Sequence, residues 1–305
     1  VSRALLNILK LQPAPTAEEP YRGGGIYLLR ASTALEPKKS LGQVFLNDRN
    51  LLEKVAELAE ARDEIVVEIG AGDGRLTERL ARDAKLVYAV EMDRGLFQRL
   101  EERFDGSPTV IPLCRNAKEL DLSDDVFAPT WGKKVKVVGN LPYCSFVRIL
   151  LTLMNQMERI EDIRIMAQRE IAERLTAVPN TAQYGRLSVT VQARACVRWL
   201  LTLPPQAFWP RPKVHSVVLA ITPKQPPFAS KELLDTFDVF VTAAFAHRRK
   251  TLLNSLMRST ALRDHKEPTE RLLAELGFPA TCRAQEVSVR DYVNLVNRLT
   301  RTEPT

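Results

Sequence analysis

The sequence predicts an α/β protein: a mostly parallel sheet with helices on its faces, followed by a small all-helical C-terminal domain. Three observations predict it. From about Pro37 to Pro204, short β-branched runs alternate with stretches of helical spacing, the pattern of successive βαβ units. Seven of the 19 prolines then crowd between Pro204 and Pro227. Beyond them only helical periodicity is found.

The elements follow in order. Leu51, Leu52, Val55, Leu58 and Ala59 recur at helical spacing and predict a helix over 51–61. Glu64–Ile69 is a short β-branched run and predicts a buried strand. Gly70-Ala71-Gly72-Asp73-Gly74 breaks it, and 75–82 reads as a helix. A strand at 86–90, a helix at 96–104, and strands at 109–113 and 135–138 come next. Helices at 150–157 and 171–177 flank a strand at 163–167. The C-terminal helices are expected at 233–246, 250–257, 269–276 and 288–299, with Ser288 and Asp291 forming an N-cap for the last. A boundary near Pro223–Phe228 divides the chain into domains 37–223 and 224–305. Residues 1–36 are different: Arg3, Lys10, Arg22 and Arg30, three prolines and Gly23-Gly24-Gly25 suit a flexible extension or the remnant of an organellar targeting segment. The chain begins at Val1, which leaves room for a longer natural N-terminus.

Composition narrows the function. The 305 residues are 45% hydrophobic and 27% charged, ordinary for a globular protein, and no apolar run approaches the roughly 18 residues of a membrane span. Forty-four Lys and Arg against 37 Asp and Glu leave a net charge of +7, and 15 of those bases but only 10 of the acids fall from Pro205 onward. That surplus suits a polyanionic partner. Cys114, Cys144, Cys196 and Cys282 are scattered without a C-x-x-C, and the three histidines are equally dispersed. This excludes a disulfide scaffold and the usual cysteine zinc sites. No metal and a reducing compartment are expected.

The glycine-rich turn carries the first chemical signal. Strand Val66–Ile69 runs into glycines at 70, 72 and 74, and Glu91 ends the next strand, where an acid suits the two hydroxyls of a ribose. Dinucleotide-binding turns read G-x-G-x-x-G. Here the spacing is G-x-G-x-G, Glu68 precedes it and Asp73 sits inside it. A carboxylate there is poor for a diphosphate, which disfavours a nicotinamide-dependent oxidoreductase. It is acceptable for S-adenosyl-L-methionine, which has a ribose and an ammonium but no phosphate. The pattern E-x-G-x-G-x-G resembles motif I of class I methyltransferases; a plain tight βα turn is the alternative.

The second signal is Gly139-Asn140-Leu141-Pro142-Tyr143, after the strand Val135–Val138. It is similar to the (D/N)-P-P-(Y/F) element of methyltransferases acting on exocyclic amino groups. Such a nitrogen gives its lone pair to the ring and is a weak nucleophile. An Asn140 oxygen and the Leu141 carbonyl can hold its hydrogens and turn the lone pair toward a methyl donor. Pro142 fixes the backbone, and Tyr143 offers a face for an unstacked base.

With these motifs the sequence resembles the small-subunit ribosomal RNA adenine N6-dimethyltransferases, whose mitochondrial branch includes transcription-factor-B-like proteins. The resemblance spans about Pro37 to Leu299. It rests on Lys38–Leu46, Glu68–Gly74, Val90–Asp93, Gly139–Tyr143, Gln168–Leu175, Tyr184–Val189, Phe208–Val214 and His247–Leu256, all in order. It implies a Rossmann-like class I methyltransferase sheet with a helical C-terminal domain, S-adenosyl-L-methionine as cofactor, and two adjacent adenosines near the 3′ end of small-subunit rRNA as substrate. It implies immature small ribosomal subunits as partner, a monomer outside the particle, no membrane, and a mitochondrial or otherwise cytoplasmic location. Carried over, Val44, Leu46, Glu68, Gly70, Gly72, Glu91, Asn116 and Asn140 are implied to bind the cofactor. Asn140, Leu141, Pro142, Tyr143 and Phe208 are implied to form the target-base site, with Phe208 packing on the base's other face.

Three places depart from the family pattern. Val44 stands where the family has a polar cofactor contact, and Asn116 where it has an acid that accepts from the cofactor's adenine amino group. Cys144-Ser145-Phe146-Val147 replaces a polar, small-residue stretch. These changes define the alternative: a catalytically impaired homologue serving as an RNA-binding assembly factor for the small subunit. Lys38, Lys39, Arg211, Lys213, Arg248, Arg249 and Lys250 are expected to contact RNA, Arg211 and Lys213 because they flank aromatics.

Overall fold

The structure, a computed structural model, describes residues 37–38, 42–130, 132–260, 262 and 266–300. The expectations for 1–36 and for Lys39 fall outside the described residues. The elements are β1 (Phe45–Leu46), α1 (Arg49–Leu58), β2 (Ile65–Ile69), α2 (Arg75–Leu80), β3 (Leu86–Glu91), α3 (Arg94–Arg103), β4 (Val110–Cys114), β5 (Val135–Asn140), α4 (Phe146–Met154), β6 (Ile160–Gln168), α5 (Arg169–Thr176), α6 (Arg186–Arg194), β7 (Ala195–Leu203), β8 (Phe208–Trp209), β9 (Ser216–Pro223), α7 (Lys231–Phe245), α8 (Leu252–Leu256), α9 (Lys266–Glu275) and α10 (Val289–Leu299).

Seven strands form one sheet in the order β4-β3-β2-β5-β6-β9-β7. The first five are parallel, and β9 runs antiparallel to both β6 and β7. The Rossmann-like expectation holds, and the sheet ends in an antiparallel pair that the sequence reading did not contain. The period of two sorts β2 between two layers. Ile65, Val67 and Ile69 pack with α4, and Val66 packs with α1, α2 and α3. At about 25 cal/mol per Å², these two layers are the main stabilising term of the sheet. The chain moves outward from β2 to β3 and β4, then returns to β5 on the other flank of β2. A crevice opens at that reversal, at the carboxyl ends of the strands. Gly139 lets β5 approach β2 there: a Cβ at 139 would collide with the Ile69 carbonyl oxygen.

Helix α6 explains how the second domain attaches. Leu187 and Val191 pack on the sheet, while Val189 and Ala193 join the core of α7–α10 with Ala177 and Tyr184. Although β9 ends at Pro223 and α7 starts at Lys231, the helical core therefore reaches back to 177–193. Ser288 caps α10 through Asp291 N at 3.1 Å.

Candidate active site

The crevice is a cleft of about 880 Å³, counting its open mouth, between the ends of β2, β3, β4 and β5. Of the residues singled out from the sequence, Val44, Gly70, Gly72, Glu91, Asn116, Asn140, Leu141 and Pro142 line this one cleft. Gln43, Phe45, Met92, Ala117, Lys118 and Ile149 line it too, and the sequence reading had not singled them out. Met92 carried a signal of a kind: a large apolar side chain, 41% exposed, directly after the ribose-type acid.

Glu91 is the best-held group. It is 7% exposed; Oε2 accepts from Gly72 N at 3.0 Å and Oε1 from Asp93 N at 2.9 Å. Burial pushes its carboxyl up, and those two amides work the other way. Each oxygen keeps a lone pair. The bond to Gly72 also ties the acid to the glycine turn. Gly72 has φ +60°, and a Cβ there would sit 3.0 Å from the Phe45 ring, so only glycine fits without displacing it.

Asp93, two residues after Glu91, ties Lys38 to the start of α3. Its Oδ1 caps α3 through Gly95 N and Leu96 N, and its Oδ2 takes Lys38 Nζ at 2.7 Å. Burial opposes its charge, but the Lys38 ammonium and the cap amides more than offset that and hold the carboxyl below its usual range. Lys38, expected on RNA, is thus engaged by Asp93. Gln43 reinforces the tie by accepting from Lys38 N at 2.8 Å.

At the end of β5, Asn140 Nδ2 donates to the main-chain carbonyl of Val44 at 2.6 Å. A carbonyl only accepts, so this contact assigns the amide and leaves Oδ1 as the free acceptor. Behind it, a Cβ at Gly70 would lie 3.1 Å from the Asn140 carbonyl oxygen, so the two turns abut. Tyr143 is pinned by its hydroxyl to Ser216 Oγ at 2.6 Å.

Several implied residues lie elsewhere. Glu68 does not line the cleft. It is 1% exposed, under the turn beside the Thr77 hydroxyl, on the same face of β2 as Val66. Burial pushes its carboxyl up to about 8, with Glu91 and Asp73 adding to the shift and Thr77 opposing it. Phe208 and Leu46 are paired across β1–β8 and are 4% and 5% exposed within the core. Phe208 offers no face to a base in this structure. Across the same ribbon Trp209 pairs with Phe45, a cleft residue, and is 48% exposed. The alternation of a strand puts the aromatic at 209 on the face of Phe45 and the one at 208 in the core, although Trp209 does not itself line the cleft. Arg211, Lys213, Arg249 and Lys250 are exposed. Arg248 donates to the carbonyls of Ala182 and Tyr184, both at 3.1 Å, and so braces the loop before α6.

Residues 34–301 match the model of the ribosomal RNA adenine dimethylase family. The chain belongs to that family. It is 35% identical over 264 residues to the ribosomal RNA small subunit methyltransferase A of Alkaliphilus oremlandii, covering 86% of this chain and 92% of the relative. It is 38% identical over 271 residues to that of Shouchella clausii, covering 87% and 90%. Among solved structures, the dimethyladenosine transferase from Plasmodium falciparum superposes with a TM-score of 0.72 at 22% identity, covering 84% of this chain and 97% of that one. The 23S rRNA methyltransferase ErmE superposes at 0.62 with 24% identity, covering 84% and 99%; both likenesses speak for the fold.

The cofactor of this family of methyltransferases is S-adenosyl-L-methionine, and the residues present fit it. Glu91, held by two amides at the cleft wall with acceptor capacity to spare, would suit ribose hydroxyls. Met92, Ala117 and Ile149 give the cleft apolar lining that would suit a flat base. Of the acids around the turn, Glu91 alone lines the cleft, and a carboxylate there suits an ammonium or a sulfonium and repels a diphosphate.

Proposed function

We propose that this protein dimethylates the N6 atoms of two adjacent adenosines near the 3′ end of small-subunit ribosomal RNA, acting as a monomer on immature small subunits. The bond from Asn140 Nδ2 to the Val44 carbonyl carries the proposal. It holds the carboxamide with its oxygen free, whatever side chain stands at 44, so Val44 does not disable the target-base site.

The bound cofactor supplies a methyl group on a positively charged sulfur. Asn140 Oδ1 and the Leu141 carbonyl accept the two hydrogens of the adenine amino group. That frees the nitrogen lone pair for in-line attack, and much of the acceleration comes from this positioning. Pro142 sets the direction of the backbone, and Ser216 holds Tyr143. Trp209 with Arg211 and Lys213 supports an RNA strand at the mouth, where stacking and phosphate contacts combine.

The test is tritium transfer from labelled S-adenosyl-L-methionine into immature small subunits, with RNA binding measured in parallel. Incorporation as N6-dimethyladenosine at neighbouring positions is expected. Tight subunit binding without incorporation would instead establish the assembly-factor alternative.

A further inference from the structure

Asn116 stands where β4 gives way to a short 3-10 turn, Ala117–Glu119, and both ends of its carboxamide are used. Oδ1 accepts from Lys118 N at 3.1 Å, and Nδ2 donates to Glu119 Oε1 at 2.9 Å. The turn is pinned to α4, because Thr152 Oγ1 donates to the Lys118 carbonyl at 3.0 Å. Asn116 lines the cleft with the apolar Met92, Ala117 and Ile149, one strand beyond Glu91. A base held against that lining would bring its edge to Asn116.

A carboxamide offers opposite polarity at its two ends. Adenine presents a donor, its 6-amino group, and needs an acceptor opposite. Were the Asn116 amide turned over, it would present a donor and select a 6-oxo base. We propose that Glu119, which does not itself line the cleft, is a positioning residue that determines this choice. By taking a hydrogen from Nδ2 it holds Asn116 with Oδ1 as the acceptor for the adenine amino group of the cofactor. The Lys118 amide favours the same orientation through one neutral bond. The Glu119 bond is charge-assisted and stronger, and its negative charge polarises the carboxamide toward Oδ1.

The pair also makes a counterintuitive statement about residue 116. Placing an acid there sets two carboxylates in direct contact, and such a pair cannot ionise independently. Asn116→Asp alone therefore weakens binding, and Asn116→Asp with Glu119→Gln is the combination that recovers it.

Calorimetry with S-adenosylhomocysteine and its 6-oxo analogue, S-inosylhomocysteine, tests this without requiring turnover. Glu119 is exposed, and melting curves report whether each variant folds. In Glu119→Ala the adenine ligand should bind about 3–10-fold more weakly, as expected for loss of one orienting hydrogen bond. The 6-oxo ligand should gain, so that the preference between them falls by about tenfold. Glu119→Gln, whose amide oxygen still accepts from Nδ2, should keep most of the preference. An unchanged preference in Glu119→Ala overturns the proposal, including the case where both ligands weaken alike, which would mean only that Glu119 holds the turn. Asn116→Asp binding as well as its double variant overturns it too. A wild type that binds neither ligand overturns the cofactor assignment along with it.

Discussion

Asn140 and Val44, 96 residues apart in sequence, meet through one hydrogen bond of 2.6 Å. It joins the end of β5 to the segment leading into β1, and it decides which face of the Asn140 amide looks into the cleft. Position 44 thus acts on the Asn140 carboxamide through its backbone.

Asn140→Ala should therefore lower methyl transfer by about a hundredfold or more, in the range for loss of one group that acts on the transition state. RNA affinity should stay nearly intact, because it comes mostly from phosphates. Single-turnover transfer and filter binding on the same samples check both halves. A parallel loss of RNA affinity would move Asn140 from the chemistry to the binding surface.

Glu91→Ala should weaken S-adenosyl-L-methionine binding by about 1–3 kcal/mol, the worth of a charged acceptor to hydroxyls. It also strips Gly72 N and Asp93 N of their acceptor, so some thermal stability should go with it. Calorimetry separates the two effects. Equal affinities for wild type and variant would remove Glu91 from the ribose site.

Glu68 makes stability depend on pH in an unusual sense. Its carboxyl moves from an ordinary 4.5 to about 8 in the fold, so the folded protein holds this proton more tightly than the unfolded chain. Between those values unfolding releases the proton, and stability falls as pH rises; above about 8 the loss is complete. Glu68→Gln removes that slope. Its melting temperature should exceed the wild type by about 2 °C or more at pH 8.5 and converge with it near pH 4.5. Parallel curves at both pH values would show that Glu68 is not protonated in the fold.

The two aromatics of β8 should behave oppositely. Trp209→Leu should weaken RNA binding by about 1–3 kcal/mol, the usual worth of a base stacked on a ring, and Trp209→Phe should restore much of it. Phe208→Leu should leave RNA affinity alone and cost stability instead. RNA titrations beside melting curves would expose a reversed assignment.

Within Arg248-Arg249-Lys250 the roles should split. Arg249→Ala with Lys250→Ala should flatten the salt dependence of RNA binding, by up to about 0.9 unit per lost contact for duplex. Arg248→Ala should lower the melting temperature, because it releases the carbonyls of Ala182 and Tyr184. A salt slope that ignores Arg249 and Lys250 would mark them as a solvated face.

Much of this was legible in the residues themselves. The short apolar runs at 64–69 and 86–90, the glycines at 70 and 72, Glu91 and Asn140–Pro142 all report local rules: a buried strand, a turn that needs positive φ, an acid at a strand end. Because parallel strands bring their carboxyl ends to one edge, those rules already gather Gly70, Glu91 and Asn140 at a single crevice. What local pattern does not carry is which partner a buried side chain meets. Helix α6 is covered on both faces, so it has no polar stripe, and its Leu-Ser-Val-Thr-Val run hid it from a search for helical spacing. The antiparallel β9–β7 pair depends on long-range register. The resemblance singles out Phe208 and not its neighbour Trp209, and only their pairing with Leu46 and Phe45 sends Phe208 to the core and leaves Trp209 exposed. Lys38 and Arg248 read as free charges until folding brings Asp93 to one and two carbonyls to the other. Charge, period and turn chemistry are properties of a stretch of chain; the partner of each polar group is a property of the packed molecule.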